Sequence, residues 1–173
     1  MLSGALASIQ PVPALRNGGF EQAQEQAAPD GWRNASVPDA GYRVETIDVH
    51  PYEGRLAVRL RQDKTAQAKS PGRLAQALDV APLRGHRVRF SAAVRLVEGD
   101  RPPELSMVIV GPDGKPAFAN YSRPAPIASH DWAVYTVEAD VDALATRLTV
   151  GLVLPPGRRG RHGRGNAYRP RAA

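Results

Sequence analysis

Residues able to make or break bonds are few and scattered in this 173-residue chain. It contains no cysteine, so it has no thiol nucleophile, disulfide or thiolate metal site. The histidines, His50, His86, His130 and His162, lie far apart and form no His-Glu-x-x-His pair for a zinc ion. His130 beside Asp131 offers an acid–base pair, but no Gly-x-Ser-x-Gly elbow supplies a nucleophile to go with it. Glu98 and Asp100 are neighbouring carboxylates next to Arg101, which a solvated hairpin explains without catalysis. No Gly-x-x-x-x-Gly-Lys loop is present to cradle a phosphate. The expectation is a protein that is not an enzyme. What remains is recognition chemistry: rings with polar tips, side-chain amides and clustered arginines.

The elements that must position these groups are strands. Arg55-Leu56-Ala57-Val58-Arg59-Leu60-Arg61 sends Leu56, Val58 and Leu60 to one face and three arginines to the other. His86 to Leu96 does the same over a longer run, with Val88, Phe90, Ala92, Val94 and Leu96 on the core side. Further strands are read at Tyr42–Ile47, Arg73–Leu78, Glu104–Val110, Ala117–Tyr121, Asp131–Glu138 and Thr146–Leu154. Glu104–Val110 is apolar on both faces near its end, as a central strand is. Gly111-Pro112-Asp113-Gly114-Lys115-Pro116 reads as a hairpin turn. A Gly pair at Gly18-Gly19 supplies positive φ before Phe20, and Pro29-Asp30-Gly31 a tight turn before Trp32. No amphipathic helix of four turns occurs. Eight to nine strands with Gly- and Pro-rich turns predict an all-β fold, a jelly-roll β-sandwich of two antiparallel sheets.

Charge divides the chain. Of 23 Lys and Arg, six arginines follow Pro156, where there is no acid, so the first 156 residues balance 17 basic against 17 acidic side chains. The expected organisation is an N-terminal extension over 1–14, one sandwich domain over 15–156, and a basic Arg/Gly-rich tail over 157–173 without fixed structure. Such a tail also suits an electrostatic arm for nucleic acid or an anionic surface. A folded nucleic-acid-binding domain, however, spreads its charge over one face with stacking aromatics. No apolar run reaches the ~20 residues of a membrane span, and Met1–Ile9 lacks the basic flank of a signal peptide.

Read in order, Asn17-Gly18-Gly19-Phe20-Glu21, Gly31-Trp32, Gly54 to Leu60, Gln76, Gly85 before Arg87-Val88-Arg89-Phe90-Ser91-Ala92, Asp131-Trp132 and Leu148-Thr149-Val150-Gly151-Leu152 resemble one family. It is that of the carbohydrate-binding-module-like, galactose-binding-domain-like jelly rolls, over roughly residues 15–154. The resemblance implies a non-catalytic accessory module, extracytoplasmic (periplasmic or secreted), that serves a hydrolase or peptidase. It also implies a structural calcium held partly by Glu21; the residues themselves require no cofactor. The chain departs from the family at its end. A closing strand with aspartates is expected beside the first strand, whereas Pro155-Pro156-Gly157-Arg158 opens the basic tail, which leaves a sheet edge unpaired.

Sugars are held by flat rings against their apolar faces and by planar polar groups at their hydroxyls. Phe20, Trp32, Phe90, Trp132 and Tyr135 occupy apolar strand or turn positions and are assigned to the core. Tyr42, Tyr52 and Tyr121, near strand ends or loops, together with Gln76 and Asn120, are the candidate carbohydrate contacts on the concave sheet face. With so few free rings, binding should be weak. Two other readings stand beside this one: a structural or protein-interaction module packed against a catalytic partner, and nucleic-acid binding by the arginine tail.

Overall fold

The computed structural model describes residues 15–23, 27–63, 69–98, 101–156 and, for the backbone, 166–171. Ten strands follow one another: β1 (Arg33–Asn34), β2 (Tyr42–Ile47), β3 (Ala57–Gln62), β4 (Gly72–Leu78), β5 (Arg87–Leu96), β6 (Glu104–Val110), β7 (Pro116–Tyr121), β8 (Ala133–Asp140), β9 (Arg147–Leu154) and β10 (Asn166–Arg171). They form two five-stranded sheets, sheet A in the order β1-β4-β9-β6-β7 and sheet B in the order β2-β3-β10-β5-β8. All pairings are antiparallel. The fold is the expected jelly-roll sandwich, and β6 lies inside its sheet between β9 and β7.

Period-two burial drives this arrangement, since alternate side chains of a strand point to opposite faces. Leu74, Leu105, Met107, Ile109, Leu148, Val150 and Leu152 line the inner face of sheet A. Val44, Val58, Leu60, Val88, Phe90, Ala92, Val94 and Val137 line that of sheet B. Each large aliphatic chain removed from water contributes roughly 1.5–3 kcal/mol. This shared interior therefore outweighs any single surface contact.

The lead-in over 15–23 closes one end of the sandwich. Phe20 is fully buried and meets Trp32 edge-to-face, with ring centroids 5.4 Å apart. Pro29-Asp30-Gly31-Trp32 makes the expected tight turn, with Gly31 at φ +83° and the Trp32 amide donating to Pro29 O at 2.9 Å. In the preceding loop positive φ falls on Asn17 (50°) and Phe20 (60°), not on the glycine pair. Asn17 is suited to this conformation because its side chain bonds locally, at 2.6 Å to Gln22 O.

The C-terminal segment corrects the sequence reading. Residues 166–171, expected to belong to an unstructured arm, form β10 between β3 and β5. β10 registers with β5 along Asn166–Arg171 and with β3 along Asn166–Tyr168. β10 thus occupies an interior position of sheet B, not a place beside the first strand, and β1 remains an edge of sheet A. Pro170, which has no N–H to donate, falls opposite Ala92 beyond the last residue paired with β3. Residues 1–14, 157–165 and 172–173, and with them His162, lie outside the described residues, as do Gly99 and Asp100.

Candidate functional site

The sequence-expected contacts separate into interior and surface groups. Gln76, in β4, shares the inward parity of Leu74 and is 2% exposed. Its amide binds the backbone of Arg16 at both ends: Oε1 accepts from Arg16 N and Nε2 donates to Arg16 O, each at 2.8 Å. Tyr42 is buried, with its ring against Gly72, where a side chain would overlap it, and its hydroxyl donates to Ser70 O at 3.0 Å. Burial raises the Tyr42 hydroxyl pKa above its ordinary value, although the hydrogen bond to Gly72 and the charge of Arg101 act in the opposite direction. Asn120 donates to Glu138 O at 2.8 Å and so joins β7, the edge of sheet A, to β8, the edge of sheet B. These three side chains hold the frame together.

Tyr52 and Tyr121 stay at the surface, Tyr52 in the loop between β2 and β3 and Tyr121 at the end of β7. Tyr121 ends a row that crosses the outer face of sheet A by backbone register: Arg33, Ala75, Gly151, Ser106, Tyr121. Four strand spacings of about 4.8 Å make the row roughly 19 Å wide. Its middle is a floor of small residues, Ala75, Gly151 and Ser106, which face outward and are nevertheless buried. Gly151 is required there, because a Cβ would overlap the Leu74 carbonyl oxygen. The adjacent row runs Arg73, Val153, Glu104.

Arg123 forms a wall beside Tyr121, its guanidinium 4.7 Å from the ring centroid and 3.1 Å from Glu104. The same edge opens into a cleft of ≈ 330 Å³ lined by Arg101, Pro102, Pro103, Glu104, Ser122, Arg123, Pro126 and Pro155. Arg101 closes its far side by donating to Pro156 O. The face therefore combines a partly exposed ring, a guanidinium–carboxylate pair and a floor without bulky side chains. Such a surface can receive a flat polar molecule.

On sheet B, Tyr52 lies against Trp132, with centroids 5.8 Å apart. Trp132 was assigned to the core from sequence but is half-buried at the outer face. Its parity is that of the exposed Val134 and Thr136, not of buried Val137. Its Nε1 donates to His50 O at 3.0 Å, and Arg95 lies over the ring at 5.3 Å. Sequence reading missed Trp132, Arg95, Arg33 and Arg123; strand parity was the available signal for Trp132.

A calcium at Glu21 is not supported by the groups around it. Glu21 Oε1 accepts from the amides of Arg55 (2.9 Å) and Leu56 (3.2 Å), and the Arg55 guanidinium lies 3.7 Å from Oε2. N–H donors and a cation surround this carboxylate, where a hard cation needs six to eight oxygens. Among the described residues, no three His, Asp or Glu side chains converge. His130 Nδ1 lies 2.8 Å from Leu96 O, which places the ring on the backbone of β5.

No protein-family model matches the sequence, and no curated protein matches it. Solved structures do. The C-terminal family 22 carbohydrate-binding module of Clostridium thermocellum Xyn10B is similar with a TM-score of 0.58 at 15% identity, covering 87% of each chain. The TmCBM61 module, solved with β-1,4-galactotriose, gives 0.55 at 14% identity over 92% of this chain and 97% of its own. The enzymatically active domain of bacteriophage CBA120 tailspike protein 4 gives 0.60 at 12% identity, but this chain spans only 18% of it. The chain has the carbohydrate-binding-module jelly-roll fold.

Proposed function

We propose that the chain is a non-catalytic carbohydrate-binding module whose glycan lies across the outer face of sheet A. The observation that carries this reading is the row Arg33, Ala75, Gly151, Ser106, Tyr121, whose small buried floor is flanked by a ring and by planar charged groups. Tyr121 presents to a sugar the ring face that Arg123 leaves open, while Arg33, Arg73 and the Arg123–Glu104 pair meet hydroxyls. With a single ring on this face, binding is weak. The fold it shares with modules crystallised for ligand binding supports the reading. On the same reading the module works outside the cytoplasm and brings a catalytic partner to its polymer.

Calorimetric titration of the full chain with xylohexaose and with β-1,4-galactotriose tests it. Millimolar binding that Tyr121→Ala weakens about tenfold is expected. Silence of the folded protein toward every neutral and acidic glycan would favour packing against a partner instead.

A further inference from the structure

We propose that the outer face of sheet B carries a second site, for a uronate, a sugar unit bearing a carboxylate, built on Arg95, Trp132 and Tyr52. Six arginines of this face have described side chains, Arg43, Arg59, Arg61, Arg87, Arg89 and Arg95, and backbone register places Arg169 and Arg171 of β10 on the same face. Arg43 pairs with Asp63, Arg59 and Arg61 with Glu45, and Arg87 and Arg89 with Glu138. Arg95 alone among the six has no carboxylate partner among the described residues. Its Nε is buried without a hydrogen-bond acceptor, and so is that of Arg59.

Register explains the vacancy. Arg59 and Arg95 flank β10 at the same position, but Arg59 has Glu45 opposite it on β2, whereas the pairing of β5 with β8 ends at Val94 and Ala133, before Arg95. The terminal nitrogens of Arg95 have no acid partner among the described residues, so a carboxylate arriving at the surface would be the first to pair with this guanidinium. A guanidinium suits a planar carboxylate. The neighbouring surface suits a ring: Trp132 has spent its N–H on His50 O, and Tyr52 is tilted 56° against it.

A uronate carries both features on one unit, whereas a neutral sugar would leave the Arg95 donor unmet. A polyanion such as nucleic acid fits less well, because acids pair with the other arginines of β2, β3 and β5, so the charge on either side of β10 is interrupted. This assignment rests on the glycan-binding reading, and the test separates the two.

The full chain is titrated with trigalacturonate, with xylohexaose and with single-stranded DNA, at two salt concentrations. The expected result is salt-sensitive trigalacturonate binding that Arg95→Gln weakens at least tenfold and Tyr121→Ala leaves unchanged. Xylohexaose binding should be unaffected by Arg95→Gln. Arg95→Lys, which keeps the charge and loses the planar fork, should weaken trigalacturonate several-fold and serves if the glutamine variant does not fold. Trigalacturonate binding indifferent to both variants, or absent while xylohexaose binds, overturns the uronate site alone. DNA binding as tight as trigalacturonate and equally dependent on Arg95 overturns the sugar class. If neither glycan binds, the proposed function fails with it.

Discussion

Replacing Gln76 with leucine separates a structural amide from a ligand-binding one. The side chain makes two 2.8 Å hydrogen bonds to Arg16 and so pins the lead-in that carries Phe20 onto β4. Arg16 O keeps the Trp32 Nε1 donor at 3.2 Å, so only Arg16 N–H is left without its partner. The bond from Nε2 is worth about 1 kcal/mol net, and orphaning the Arg16 donor costs about 1–3 kcal/mol. Leucine recovers about 1 kcal/mol through added apolar burial. The expected loss is about 2 kcal/mol, or roughly 4–8 °C in Tm for a domain of this size. Urea denaturation followed by tryptophan fluorescence reads it directly, since Trp32 lies in the same corner. Glycan affinity should not change. A variant of unaltered stability that had lost its glycan affinity would refute the reasoning and return Gln76 to the binding surface.

Further predictions address the frame and its charges. Gly151→Ala should destabilise by about 2–4 kcal/mol in the same denaturation assay, because its Cβ meets the Leu74 carbonyl. Burial works to raise the Glu45 pKa, but hydrogen bonds from Arg59 and Arg61 outweigh it and hold the carboxyl below its ordinary range. A depressed folded pKa gives stability that is present above the unfolded value of about 4.3 and lost as pH falls through the folded one. Glu45→Gln should therefore flatten part of the acid limb, by under about 1 kcal/mol given the partial exposure; an unchanged pH profile would contradict this. A chain ending at residue 156 lacks β10, so β3 and β5 face each other as unpaired edges. Size-exclusion chromatography should show association, whereas a monomer with an unaltered melt would argue against β10.

The strands were legible in the sequence because burial has period two wherever one face meets the core. β5 is the clearest case, with Val88, Phe90, Ala92 and Val94 alternating against Arg87, Arg89 and Arg95. β10 was not legible: Asn-Ala-Tyr-Arg-Pro-Arg lacks that alternation, and its strand form comes from the hydrogen-bonding slots offered by β3 and β5. Sheet order was hidden for the same reason, since pairing is decided between strands distant in sequence.

The candidate site was only partly readable. Tyr42 looked available because it stands at a strand end, and Gln76 because its amide can meet hydroxyls. Yet Gln76 shares parity with Leu74 and Leu78, a signal that it points inward. Trp132 was misplaced by its size, although its parity with Val134 marks the outer face. Tyr52 and Tyr121 stay at the surface, and only the fold reveals that Tyr52 packs on Trp132 while Tyr121 ends the outer row of sheet A.

Amide chemical-shift mapping during titration with xylohexaose tests the central claim most directly. Saturable shifts concentrated at Ala75, Ser106, Tyr121 and Gly151, with sheet B silent, are the predicted result. Saturable shifts confined to any other surface, or no saturable shift up to tens of millimolar, would contradict glycan binding on the outer face of sheet A.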